Sequence, residues 1–258
     1  MNLDIIVCVK SVVISAPDGR VVRSAESCEL NPYDRPAIEI ALNLREAHGG
    51  TVTTVSMGPQ SSEIALIETL ALGVDRSILL SDPALAASDT LATATALGAA
   101  IKKLTPFDLV LFGIRTADSD TGQVGPQTAV MLNLPLVTWA YSIEMENNEL
   151  LVERRADGFR EKLALSFPAI VTVHPGSVQP RDVGLHGIET AFAAPKVEIW
   201  NLKELGLSPE QVGEPGSPTQ VISLKRIKKV RKCKFLTGSA DEQAEELASL
   251  FVDTGFVG

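Results

Sequence analysis

The chain has 258 residues, 45% of them hydrophobic, which is enough to bury one large core without disulfides or a structural metal. Its formal charge of −9 argues against a general affinity for nucleic acid or for anionic membrane surfaces. Its three cysteines, Cys8, Cys28 and Cys233, are widely spaced and form no Cys-x-x-Cys pair, so neither a disulfide framework nor a zinc ribbon is expected and a reducing, cytoplasmic setting fits.

From the N-terminus, residues 3–10 form a short β-branched run, too short for a membrane span and without the pattern of a signal peptide. In residues 34–48, Ala37, Ile38, Ala41, Leu42 and Leu44 recur at helical spacing before Gly49-Gly50, so strand is followed by helix. The alternation continues with a strand over 51–57, a helix over 62–72 stopped by Gly73, and a strand over 76–80. A helix opened by Ser88-Asp89 and closed by Lys102-Lys103 then leads to a strand over 107–112. This rhythm predicts a doubly wound α/β domain, a parallel sheet covered by helices.

After a further helix near 121–132 the pattern changes. Short apolar runs at 143–145, 150–154 and 160–165, separated by Asn147-Asn148 and Asp157-Gly158, read as an antiparallel meander. Residues 168–173 form a last buried strand, and beyond Pro175 proline and glycine become frequent. The compact α/β domain is therefore expected to span residues 1–180. Residues 181–258 are expected to be a loop and an extended C-terminal arm, because they hold too few apolar residues for a second core. That arm ends in a helix announced by the capping box Ser239-x-x-Glu242. It also carries seven basic residues between Lys225 and Lys234, with Ile227, Val230 and Cys233 at every third place. Such spacing suits a solvated or partner-facing arm better than a nucleic-acid surface.

In open α/β sheets ligands bind beyond the carboxyl ends of the strands. The segment from Gly113 to Pro126 follows such a strand and runs into a helix, with small residues where a backbone must approach a ligand closely and free helix N–H groups to hold a phosphate. Asp118 and Asp120 would repel that phosphate, so they are expected to accept hydrogen bonds from ribose hydroxyls or backbone N–H groups. On spacing alone an ordinary Asp-Ser-Asp helix cap explains the segment slightly better, and Asn31-Pro32-Tyr33-Asp34 reads as a routine helix start. The three histidines show no metal-ligand spacing, and no nucleophile elbow, zincin motif or acid–base set is present. A binder or carrier is favoured over a hydrolase, since a redox cofactor brings its own chemistry.

Six stretches in order carry a resemblance. They are Val7-Cys8-Val9-Lys10, Asn31-Pro32-Tyr33-Asp34, Met57-Gly58-Pro59, Ala71-Leu72-Gly73-Val74-Asp75-Arg76, Asp118-x-Asp120-Thr121-Gly122-Gln123-Val124-Gly125-Pro126-Gln127, and Phe167-Pro168 through Thr172. Together they resemble the electron-transfer flavoprotein beta subunit (FixA) family over nearly the whole chain. The resemblance implies a heterodimer in which an alpha subunit holds the redox-active FAD and this subunit binds AMP or the adenosine part of a second FAD. Carried over residue by residue, the nucleotide would be held by Cys8, Asn31, Pro32, Tyr33, Asp34, Met57, Gly58, Asp118, Asp120, Thr121, Gly122, Gln123, Val124, Gly125, Gln127 and Thr128.

Residues 181–188 fall where that family has its partner-recognition loop. Leu185 matches the exposed leucine that enters a pocket on the acyl-CoA dehydrogenase, although Leu185-His-Gly-Ile188 stands here for Leu-Pro-Asn-Ile, and Glu189-Thr190-Ala191 for lysines. The Asp-x-Asp-Thr-x-Gln-Val-Gly-Pro stretch, Val197-Glu-Ile-Trp200 and Gly216-Ser-Pro-Thr219 are similar to the anaerobe-type, often bifurcating members, which bind a second FAD and use NADH. Val12-Val13-Ile14-Ser15 departs from the Val-Pro-Asp-Thr of that branch. The resemblance thus favours a second FAD over AMP and leaves bifurcation open. The rival readings, a stand-alone adenine-nucleotide sensor of the stress-protein type and an adenylating enzyme, fit less well: the first normally ends near its compact core, and the second wants a small-residue pyrophosphate loop where Lys10-Ser-Val-Val stands.

Overall fold

The computed structural model describes residues 2–13, 24, 26–147, 149–193, 196–223 and 233–256; Ile14, Ser15 and the basic residues from Lys225 to Lys232 lie outside them. Residues 1–220 form one compact unit and residues 221–258 a second.

In the first unit the predicted alternation holds. Strand β1 (Leu3–Cys8) leads into a two-stranded antiparallel ribbon of β2 (Ser11–Val12) and β3 (Glu29–Leu30). Helix α1 (Arg35–His48), β4 (Gly50–Met57), α2 (Glu63–Ala71), β5 (Arg76–Leu80), α3 (Thr90–Lys103), β6 (Leu109–Gly113) and α4 (Val124–Leu132) follow. Asp89 caps α3 by accepting from the Leu91 and Ala92 N–H groups, and Lys102 and Lys103 sit in its last turn against the negative end of the helix dipole. The remaining elements are β7 (Leu136–Glu146), β8 (Glu149–Ala156), β9 (Phe159–Leu165), β10 (Ala169–Val173), α5 (Leu185–Ala193), β11 (Val197–Trp200) and α6 (Leu202–Leu205).

The strands form one nine-stranded sheet in the order β11-β5-β4-β1-β6-β10-β7-β8-β9. Pairing is parallel from β11 through β7 and antiparallel between β7, β8 and β9. Ile5, Ile6, Val7, Leu109, Val110 and Leu111 are buried, as expected of central strands covered on both faces. On one face α1 and α2 pack Ile38, Leu42 and Leu66; on the other α3 and α4 pack Leu97, Ala100, Ile101 and Ala129. The chain runs outward from β1 through β4 to β5 and then returns to the other side of β1 as β6, so the direction of winding reverses between β1 and β6.

Three features depart from the sequence reading. First, β7 begins seven residues before the expected 143–145 run. Its first part pairs parallel with β10 and its second part antiparallel with β8, and the register shifts where Trp139 adopts φ +62°. A strand that changes partners through a bulge breaks the period-2 pattern by which strands are read. Second, the segment around Leu185 is helix α5 rather than a loop. Gly187, which reads as a helix breaker, is where α5 meets α2: a Cβ there would overlap the Ala71 carbonyl oxygen. Third, the compact unit ends near residue 220, not 180. β11 adds to the sheet edge beside β5, where Arg76 donates from Nε and Nη2 to both carboxylate oxygens of Glu198 at 2.6 and 2.7 Å. Trp200 is buried there beneath Lys103, whose Nζ lies 4.5 Å from the ring centroid. Val212 is fully buried, and Ser217 Oγ accepts from the Asp89 N–H.

In the second unit α7 (Ala240–Asp253) starts at Ser239 with the expected capping box, and Lys234 pairs with Glu246 at 2.6 Å. Leu247, Phe251, Val252 and Phe256 are exposed. Among the described residues no helix is long and apolar enough to cross a membrane, and no cluster of ligating side chains could hold a metal ion.

Candidate functional site

The carboxyl ends of β1, β4, β5 and β6 open into a cleft of about 1040 Å³, at the top of the size range of small-molecule sites. Val9, Met57, Leu85, Leu97, Phe112 and Val124 make its apolar wall, and Lys10, Asp34, Asp82, Asp89 and Arg115 are the charged groups that reach it. Its position is set by topology, since the reversal of winding between β1 and β6 leaves the loops after those strands splayed apart.

Gly113, at the end of β6, allows the loops to meet. A Cβ there would lie 2.5 Å from the Tyr33 carbonyl oxygen and closer still to Asp34 Oδ1, so only glycine lets the β6 loop pass the start of α1. Asn31 then ties the two loops together: its Nδ2 donates to the Arg115 carbonyl at 2.9 Å, and its Oδ1 accepts from the Ala117 N–H at 3.1 Å. Gly122, at φ +63°, brings the loop back against the Ile114 carbonyl immediately before α4. The first turn of α4 faces the cleft without a side-chain cap at Gln123. Because Pro126 has no N–H, Val124 and Gly125 offer the donors for an anion there.

Asp34 is 4% exposed. Burial raises its carboxyl to about 7, against hydrogen bonds from the Lys10 backbone N–H, 2.8 Å from Oδ2, and from the Asn31 side chain. Burial, with the Asp34 charge second, also pushes the Cys8 thiol far above its ordinary range, so Cys8 is a neutral wall residue rather than a nucleophile. At Asp89 the opposite outcome holds: burial pushes upward, but the N–H groups of Ala92, Thr219 and Leu91 outweigh it and hold the carboxyl below its usual value. With no base–nucleophile pair in the cleft, the arrangement can bind and orient an anionic ligand of nucleotide size.

Of the residues expected at the site, Cys8, Asp34, Met57, Gly58, Thr121, Gly122, Gln123, Val124 and Gly125 line the cleft. Asn31, Tyr33, Asp118 and Asp120 are not among the lining residues: Asn31 is buried, Tyr33 is half-buried, and both aspartates are exposed. The two aspartates are engaged by cations: Asp118 pairs with Lys10 at 2.8 Å and Asp120 with Arg115 at 3.2 Å. Pro32 is exposed in the turn before α1, and Gln127 and Thr128 lie further along α4, where the buried Thr128 hydroxyl donates to the Val124 carbonyl. Sequence reasoning missed one whole wall, made by Pro83 and by residues 85–90 and Thr93, with Thr219 closing over it. The Asp82-Pro83 and Ser88-Asp89 turn signals after β5 could have found the first part. Leu185 opens α5 and is 87% exposed.

The family described as electron transfer flavoprotein domain matches residues 18–205. The chain is 37% identical to the electron transfer flavoprotein subunit beta of Thermoanaerobacterium thermosaccharolyticum, over 88% of this chain and 87% of that one. It is 38% identical to the caffeyl-CoA reductase-Etf complex subunit CarD of Acetobacterium woodii, over 84% and 85%, and 37% identical to protein FixA of Azotobacter vinelandii, over 94% and 91%. With a doubly wound sheet and a nucleotide-sized cleft at its switch point, this chain belongs to the electron-transfer flavoprotein beta subunit/FixA family, whose members pair with an alpha subunit in flavin-associated electron transfer.

Proposed function

We propose that this chain is the nucleotide-holding half of an electron-transfer flavoprotein heterodimer and that its cleft takes the adenosine diphosphate portion of a second FAD. The observation that carries the proposal is the meeting of Gly113, Gly122 and the uncapped start of α4 at one end of a large, mostly apolar cleft. Backbone N–H groups at Val124 and Gly125 suit a phosphate, and the wall of Met57, Leu85, Leu97 and Phe112 suits an adenine. Flavin supplies one- and two-electron chemistry when bound. The chain's own residues then bind, orient and exclude water: Asp34 sits buried and part protonated near neutral pH, and Asn31 holds the β6 loop in place.

Docking of an acyl-CoA dehydrogenase-type flavoenzyme at α5 is supported by the exposure of Leu185 and by a relative named as subunit of a caffeyl-CoA reductase-Etf complex. The second unit, with its exposed apolar helix face, is assigned to the alpha-subunit contact. NADH as electron donor goes with the two-FAD reading.

The test is to co-express this chain with its alpha subunit, purify and denature the complex, and quantify FAD and AMP per heterodimer. Two FAD and no AMP is the expected result. One FAD with one AMP would keep the nucleotide site and make the protein a simple electron carrier; one FAD and no nucleotide would overturn the site.

A further inference from the structure

We propose that Arg115 is a specificity-determining residue of the cleft, reading a second phosphate and so favouring diphosphate-containing adenine nucleotides over AMP. This inference rests on the nucleotide-binding reading above. Among the residues that line the cleft, Lys10 and Arg115 are the two cations, and they are held differently. Lys10 Nζ is occupied at 2.8 Å by Asp118, with Ser119 Oγ at 3.4 Å. Arg115 is held by an aromatic ring, a hydroxyl and one exposed carboxylate. Its guanidinium lies 4.6 Å from the centroid of the Tyr33 ring, and Nη2 donates to the Tyr33 hydroxyl at 3.0 Å. Its carbonyl is fixed by Asn31. Its ion pair to Asp120, the one among the described residues, is 3.2 Å long and formed by largely exposed groups, so screening leaves it weak.

A guanidinium has five N–H donors, so the contacts to the Tyr33 hydroxyl and to Asp120 leave donors for a ligand oxygen. The place of Arg115 in the chain adds the rest. It follows Ile114, whose carbonyl touches Gly122, two residues before the first turn of α4. Arg115, Val124 and Gly125 line the same cleft, so a phosphate at the α4 N-terminus shares that cleft with the Arg115 guanidinium. A single phosphate is satisfied by the Val124 and Gly125 N–H groups; a second one, linked to the first, extends from that turn toward the planar fork, which suits two phosphate oxygens.

The experiment uses the heterodimer depleted of cleft nucleotide, titrated calorimetrically with AMP and with ADP, for wild type, Arg115→Gln and Arg115→Lys. The expected result is that Arg115→Gln weakens ADP about tenfold, the size of one charge-assisted contact, while AMP affinity changes less than about twofold. Arg115→Lys falls between them for ADP, because it keeps the charge and loses the fork. Unchanged AMP affinity also certifies that the variant cleft is folded. Equal losses for AMP and ADP, or no loss for either, would overturn the role of Arg115 and leave the nucleotide site standing. A wild-type heterodimer that binds neither nucleotide would overturn the site itself.

Discussion

Replacing Asp34 by asparagine isolates the electrostatics of the cleft floor. Asp34 is buried, and its carboxyl is raised from 3.8 to about 7, so the folded chain holds this proton more tightly than the unfolded chain does. The contribution of a group with a raised folded value is fully present below its unfolded value and is lost as pH rises through the folded one. Asp34 therefore costs stability progressively between about pH 4 and pH 7 and adds no further slope above. That difference in proton affinity corresponds to an upper figure of about 4 kcal/mol. Between about pH 5 and pH 8, roughly 2–3 kcal/mol of it should be visible. Asparagine keeps the shape and cannot titrate, so other groups cancel when the two pH profiles are subtracted. The assay is urea unfolding of wild type and Asp34→Asn at closely spaced pH values, read by tryptophan fluorescence. The difference should shift in favour of Asp34→Asn as pH rises, by that amount, and level off above about pH 7. Parallel profiles across the window would refute the reasoning.

Further outcomes follow from the same geometry. Gly113→Ala drives a methyl group into the Tyr33 carbonyl and Asp34; overpacking against backbone costs about 1–3 kcal/mol, and nucleotide affinity measured by calorimetry should fall at least about tenfold. Asn31→Ala leaves the Arg115 carbonyl and the Ala117 N–H without their buried partner; unfolding stability should drop by about 1–3 kcal/mol, and amide exchange should quicken in residues 115–120. Leu185→Ala removes an exposed side chain, so the unfolding midpoint should move by less than about 0.5 kcal/mol in stability. Its affinity for an acyl-CoA dehydrogenase-type flavoenzyme should still fall about tenfold in surface binding, as for an interface anchor.

The doubly wound core was legible because each element follows its own period and stops at its own signal. Gly49-Gly50 and Gly73 end helices, Asp89 caps α3, and the β-branched runs of β1 and β6 lie where central strands need them. The loops around Gly113 and Gly122 were legible for the same local reason, since small residues between strand and helix mark a backbone that something approaches. What escaped the sequence reading depends on partners distant in the chain. β11 is a strand because β5 offers an edge and Arg76 meets Glu198. α5 tolerates Gly187 because the α2 backbone lies against it. β7 changes partners at Trp139. The ion pairs of Asp118 with Lys10 and of Asp120 with Arg115 likewise join residues that local spacing does not connect. The wall formed by residues 85–90 with Thr219 is another such meeting, closed by the Thr219 N–H donating to Asp89 at 2.9 Å.

The most direct test of the cleft as the adenine-nucleotide site is photolabelling of the heterodimer with 8-azidoadenosine diphosphate, followed by peptide mapping. The account predicts that label falls in residues 81–93 or 113–125 of this chain, and that unlabelled ADP or FAD competes it away. Labelling confined to other segments, or undiminished by either competitor, would contradict it.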